Sequence, residues 1–333
     1  MTAPRHAVLA AVRSTLADLP DGTLALVACS GGTDSVALAA AAAEVAGRVR
    51  AGAVVVDHGL QVDSVAVAAA AAATCARLGL DPVTVVPATV AADGSGPEAA
   101  ARTGRYRALA EAADSLEAAC VLLGHTADDQ AETVLLGLAR GSGARALAGM
   151  PARRDRYRRP LLGLPRATVR AAYPELPTWD DPHNADLRFR RSRVRHVVLP
   201  VLAEQLGPGV AAALARSADQ VRDEVAAVDA WAALLSRDHV RPGPADSVHV
   251  AAGALSDLPS AVVARVLIDA ADGAGVPRGR LTAIHVAALV ALVCRWRGQG
   301  PLNLPGGVTA ARRSGTVVLA RTHDSSRPET DRP

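Results

Sequence analysis

Six residues, Ser30 to Ser35, read SGGTDS and stand between an apolar run, Leu24 to Cys29, and a helix pattern rich in alanine, leucine and valine. Two glycines let a backbone turn tightly and approach an anion, the amides that follow point inward, and the helix N-terminus adds positive potential. The hydroxyls of Ser30, Thr33 and Ser35 add donors. A lone SGG triplet is commonly a surface turn, but the strand before it and the helix after it make this one a phosphate cradle. It is not a Walker A loop, which needs a Gly-Lys pair, because all 36 basic residues are arginine.

The first half of the chain repeats the same rhythm. Leu24–Cys29, Ala53–Val56, Val83–Val86 and Cys120–Leu123 read as strands; Ser35–Ala46, Ser64–Leu78, Glu98–Ala113 and Ala127–Ala139 read as helices. Alternation of this kind predicts an α/β fold with a doubly wound parallel sheet. Ligands of such sheets bind beyond the carboxyl ends of the strands. Three of the strands run into polar clusters there: SGGTDS, Asp57-His58-Gly59 and Gly124-His125-Thr126. The rhythm stops after Gly149. Arg153 to Pro160 reads as polar and extended, Pro174 to Pro182 as a proline-rich loop, and a helix pattern resumes near Ser192. The expected domains are a catalytic one over 1–209 and a smaller, mainly helical one over 210–322. The second ends in a hairpin of Leu302–Leu304 and Thr316–Leu319, and residues 323–333 read as a disordered tail.

A length of 333 residues supports about two domains. Cys29, Cys75, Cys120 and Cys294 form no CxxC pair and no signal segment opens the chain, so buried thiols in a reducing cytoplasm are expected. The longest uncharged stretches are alanine-rich or only helix-core length, so no membrane span is expected. The net charge is +3, unevenly spread. Residues 1–150 hold 10 Arg against 15 acids, residues 151–195 hold 12 Arg against 5, and the remainder holds 14 Arg against 13. A basic belt beside an acidic block suits a polyanion, and the neighbouring phosphate cradle favours that over a merely solvated surface.

Three more clusters carry chemistry. In GHTADDQAET, Gly124 to Thr133, Asp128 and Asp129 fall in the first turn of a helix, where one acid would suit the helix dipole. Asp128, Asp129 and Glu132 together repel unless a cation shares the site, so a magnesium ion or an amine substrate is expected beside them. In GPEAAARTGRY, Gly96 to Tyr106, Arg102 and Arg105 share a helical face; Arg102 reads as a cation for phosphate and Arg105 as solvated. In the segment Trp179 to Pro200, Asp180, Asp181 and Asn184 form a polar turn, followed by Arg188, Arg191 and Arg195 as a helical stripe for RNA phosphate or ATP.

SGGTDS matches the SGGxDS signature of the PP-loop ATP pyrophosphatases. Together with VDHGL at 56–60, PEAAAR, GHTADDQAET, RPLL at 159–162, WDDPHN and FRRSRVRHVVLP, it resembles the tRNA(Ile)-lysidine synthetase family over roughly residues 20–205. The resemblance implies that ATP adenylates O2 of the wobble cytidine in the CAU anticodon of tRNA(Ile), and that the ε-amine of L-lysine then displaces AMP. It implies ATP at Ser30, Gly31, Gly32, Thr33, Asp34, Ser35, His58 and Gly124. Catalytic roles are implied for Asp34, Arg102, His125, Asp128, Asp129 and Arg195, with Mg2+ on Asp34 and Asp129. tRNA is expected at Arg153, Arg154, Arg158 and Arg191, and a homodimer is left open. The rival expectations are a PP-loop tRNA thiolase acting on a cytidine or uridine, a small-molecule amidating ligase, and a non-catalytic RNA-binding module.

Overall fold

A computed structural model describes residues 2–57, 59, 63–88, 97–141, 143–179 and 181–322, with backbone alone at 97–99 and 182–183. His58, Asp180 and the tail 323–333 lie outside the described residues. The chain divides into two compact units, Met1–Arg222 and Asp223–Pro333.

In the first unit, α1 (Ala3–Leu16) precedes β1 (Leu24–Ala28), α2 (Thr33–Val45), β2 (Arg50–Asp57), α3 (Ser64–Arg77), β3 (Val83–Pro87), α4 (Pro97–Ser115), β4 (Cys120–Leu123) and α5 (Ala127–Ala139). There follow α6 (Ala144–Leu147), β5 (Arg153–Arg154), β6 (Tyr157–Arg158), α7 (Arg166–Ala172) and α8 (Arg190–Arg193). A π-helical turn over Val194–Val198 then leads into α9 (Leu199–Leu206). The strands form one sheet in the order β3-β2-β1-β4-β6-β5, parallel except for the β5–β6 pair.

Residues alternate in this sheet because both of its faces are covered. On β1, Ala25 and Val27 join a core with Val8 and Val12 of α1 and Leu38 of α2; Leu24 and Leu26 join a second core with Leu109 and Ala113 of α4. Helices on both faces make the sheet doubly wound. Its order reverses at β1, which has β2 on one side and β4 on the other, and such a reversal opens a crevice at the strand ends. The SGGTDS turn leaves β1 there, and Gly124-His125-Thr126 leaves β4 beside it. The polar, extended reading of 153–160 becomes the hairpin β5–β6.

The long helix α10 (Val210–His239) carries the chain into the second unit, so the division falls inside the helix rather than at its start. Then come β7 (Val240–Pro242), β8 (Val248–Ala251), α11 (Ala252–Leu255), α12 (Ser260–Gly273), α13 (Ala283–Cys294), β9 (Leu302–Leu304), β10 (Val308–Arg313) and β11 (Thr316–Arg321). The expected hairpin is part of a larger antiparallel sheet, β7-β8-β11-β10-β9. Val262, Val263, Val266, Leu267 and Ala270 of α12 form the apolar stripe that packs with Val250, Val317 and Leu319 of that sheet.

Candidate active site

Three restraints build the SGGTDS turn. Gly31 has φ +81°, a conformation that strains any side chain, and a Cβ on it would stand 3.4 Å from Ala71 Cβ on α3. The Ser35 hydroxyl donates to the Gly32 carbonyl at 2.8 Å and accepts from the Ser30 amide at 3.2 Å. Trp179 donates its backbone N–H to the Gly31 carbonyl at 2.9 Å. Thr33 and Asp34 open α2, ahead of the Ser35 and Val36 amides that make the first bonds to Gly32. The amides of that first turn are the donors a helix N-terminus offers to an anion. Across the crevice, a Cβ on Gly124 would stand 3.1 Å from the Asp34 carbonyl oxygen, so glycine lets β4 end against the start of α2.

The acids of α5 do not stand alone. Glu132 is fully buried, and it accepts from Arg191 Nε and from Arg195 Nε at 2.7 Å each. Asp129 Oδ1 lies 2.9 Å from both Arg166 Nη2 and Arg195 Nη2, while its Oδ2 accepts from the Thr126 amide and hydroxyl at 2.8 Å. Asp128 Oδ2 accepts from the Arg166 amide at 2.7 Å. Burial opposes charge on Asp129, but the guanidiniums of Arg166 and Arg191 and the Thr126 amide outweigh it and hold this carboxyl below its ordinary range. The cation that three clustered acids require is therefore supplied by Arg166, Arg191 and Arg195. Asp129 is also the helix cap that one acid in a first turn would be.

Asp34 differs. Its Oδ2 meets Arg166 Nε at 3.2 Å, yet its buried Oδ1 has no hydrogen-bond partner. Burial raises its pKa above the usual carboxylate value despite the nearby Arg166. Of the two residues expected to hold Mg2+, Asp34 thus has an open oxygen. Both oxygens of Asp129 are engaged. No group of three or more His, Cys, Asp or Glu side chains among the described residues could hold a metal ion. One carboxylate plus substrate phosphates is an ordinary arrangement for magnesium, and Asp34 Oδ1 fits it.

A cavity of about 250 Å³ joins these groups. Val54, Val56, Leu109 and Leu123 give it an apolar wall, while Ser30, Gly32, Thr33, Asp34 and Ser35 line its other side with Gly124 and His125. His125 Nδ1 is buried without a partner. Burial, with Arg159, Arg191 and Arg105 nearby, lowers its pKa to about 3 and leaves the ring neutral. Cys29 also lines the cavity but is buried, 3.7 Å from the Ser35 hydroxyl; Cys120 is buried within β4.

Several expected residues stand elsewhere. Arg102 is exposed on α4 with its guanidinium 5.2 Å from the Tyr106 ring centroid, and it is not among the residues lining the cavity. Arg105, read from sequence as solvated, is exposed and also lines it, with Tyr106. Arg158, expected to hold tRNA, is buried and spans to the Thr15 carbonyl and to Asp18 Oδ1 at 2.6 Å. Arg153 also pairs with Asp18, while the exposed Arg154 lies 3.8 Å from Asp155. Arg191, likewise expected on tRNA, belongs to the Glu132 cluster. Sequence reasoning missed Arg166 and Arg170. The available signal was Leu164-Pro165-Arg166, a proline setting a helix start directly after the RPLL motif. Among the described residues, no single helix is long and apolar enough to cross a membrane.

A family model described as a PP-loop domain matches residues 6–202. A tRNA(Ile)-lysidine synthase of Thermobifida fusca is 52% identical over 95% of this chain and 98% of its own length. Those of Streptomyces coelicolor and Salinispora tropica are 52% and 50% identical, over 90% and 95% of this chain and 86% and 96% of theirs. Among solved structures, the U34-tRNA thiolase NcsA from Methanococcus maripaludis superposes with a TM-score of 0.56 at 20% identity, over 66% of this chain and 80% of that one, a likeness of fold. With the phosphate cradle at the sheet reversal and relatives matched almost from end to end, this chain belongs to the PP-loop family and, within it, to the tRNA(Ile)-lysidine synthases.

Proposed function

We infer that this chain ligates L-lysine to C2 of the wobble cytidine in the CAU anticodon of tRNA(Ile), with ATP as the activating substrate. The supporting observation is the 52% identity over nearly the whole of a named synthase. C2 of cytosine is a poor electrophile. In the first step its O2 attacks the α-phosphorus of ATP, the bond from that phosphorus to the bridging oxygen breaks, and pyrophosphate leaves. The amides of Thr33 and Asp34 and the hydroxyls of the turn receive that charge, with Arg105 and Arg195 at the cavity wall. The apolar wall of Val54, Val56, Leu109 and Leu123 suits a purine base. In the second step the lysine nitrogen attacks C2, the C2–O2 bond breaks, and AMP leaves carrying O2. The amine gives up protons, and Asp34, whose carboxyl pKa burial raises, is the acceptor at the cavity wall in this step, which follows the departure of pyrophosphate. Magnesium, held by Asp34 Oδ1, would supply charge neutralisation at the phosphates.

Arg153 and Arg154 present partly free guanidiniums toward the tRNA backbone, and the second unit is taken as a further tRNA-binding body. The work is that of a cytoplasmic enzyme. The test is AMP release from ATP with a tRNA(Ile) transcript and lysine, ammonia or a sulfur donor. Lysine-dependent release is expected; release with a sulfur donor alone would turn the reading toward a thiolase.

A further inference from the structure

Aromatic side chains are scarce here: three Trp, three Tyr and one Phe in 333 residues. Trp296 is nevertheless 39% exposed, in the second unit just past the end of α13. Its mounting is rigid. The Arg312 guanidinium lies 5.6 Å from the ring centroid and donates to the Leu292 and Val293 carbonyls at 3.0 Å, so it caps α13 and backs the indole at once. Gln299 fixes the turn that carries the ring. Its Oε1 accepts from the Arg297 amide at 2.6 Å, and its Nε2 donates to the Arg295 carbonyl at 2.9 Å.

Charge around the ring is one-sided. Arg295 and Arg297 flank it in sequence and both are exposed. Elsewhere in the same unit, Arg265 is paired with Asp229 and Arg278 with Asp269 and Asp272. Arg295, Arg297 and Arg312 meet no carboxylate at ion-pair distance among the described residues. A preorganised indole face rimmed by unpaired guanidiniums is the arrangement that stacks an unpaired nucleobase and holds its flanking phosphates.

We propose that Trp296, backed by Arg312, is a stacking platform for an unpaired base of the tRNA, with Arg295 and Arg297 on the adjoining phosphates. The proposal rests on the tRNA reading above. Stacking on an aromatic side chain contributes on the order of 5- to 150-fold in affinity. The test is equilibrium binding of the full chain to a tRNA(Ile) transcript at several salt concentrations. Trp296→Ala is expected to weaken binding by that factor, and Trp296→Phe to restore most of it. Arg295→Gln with Arg297→Gln should weaken binding and flatten its salt dependence, with ATP binding and Tm near those of the parent. Unchanged tRNA affinity in Trp296→Ala overturns the platform. So does an equal loss in Trp296→Phe, since a ring that merely packs would be spoiled alike by both. Lysine-dependent AMP release by the parent, measured alongside, separates this failure from failure of the tRNA reading.

Discussion

Two sets of arginines come from one stretch of chain, residues 151–195, and end in opposite surroundings. Arg153 and Arg158 reach Asp18, whose side chain is half exposed. Arg166, Arg191 and Arg195 converge on Asp129 and on Glu132, which no solvent reaches. As a count, the stretch is a basic belt. As a structure, it separates into an outer strut and an inner counter-charge. Local density of charge says that a cation is wanted; only burial says whether it faces solvent or neutralises acids inside the fold.

The difference is tested hardest at Glu132. Glu132→Gln leaves Arg191 and Arg195 without their buried partner, and breaking such a pair costs about 3–5 kcal/mol. A large fall in Tm and loss of AMP formation are expected, whereas Asp18→Asn, at a half-exposed carboxylate, should lower Tm less. Equal losses from the two variants would erase the distinction between the sets.

Asp34→Ala addresses the oxygen that the inner set leaves open. Adenylation should drop by about 100-fold or more while Tm stays near that of the parent. Normal AMP formation by the folded variant would remove Asp34 from the chemistry.

A third measurement concerns pH. With its pKa lowered from 6.5 to about 3, His125 stays neutral in the fold while the unfolded chain takes up a proton below about 6.5. Folding stability should therefore fall as pH drops from 6.5 toward 3. In His125→Asn that decline should be shallower by up to one proton. Asp129, held low, adds stability that is present above the usual carboxylate range and lost at still lower pH. An unaltered pH profile in His125→Asn would mean that the ring is not excluded from protonation.

The smallest effect belongs to the outer set. Arg153→Gln with Arg154→Gln should reduce the salt dependence of tRNA affinity by roughly 0.9 for each phosphate no longer neutralised. Arg158→Gln should instead lower Tm and leave that slope alone. If the slope is indifferent to Arg153 and Arg154, the RNA path lies off the β5–β6 hairpin.

What could be read beforehand follows from how local the signal is. The apolar runs feeding β1 to β4 are bounded by glycine and polar turns, and α5 begins and ends where its pattern does, at Ala127 and Ala139. The turn itself was legible because its glycines and hydroxyls are contiguous. Arg166 was not, because the partners that define it lie on α2 and α5, far off in sequence. Arg102 and Arg105 share a helical face by spacing, and only the packing of α4 on the sheet decides which of them reaches the cavity. Strands β7 and β8 hold three and four residues, too few for alternation to register.

Arginine in every place where lysine could stand has a chemical consequence at this site. An adenylated cytidine is an electrophile prepared for one primary amine, and any other amine within reach would capture it. This chain carries no side-chain amine at all. The positive charge beside the cavity resides on guanidiniums, which hold their protons throughout the physiological range and are therefore poor nucleophiles. On the ligation proposed above, Arg195 at the cavity wall would stabilise phosphate charge, and Arg166, Arg191 and Arg195 neutralise Asp129 and Glu132, without competing with the incoming lysine, so the selectivity of the second step would be built partly from what the surrounding cations cannot do.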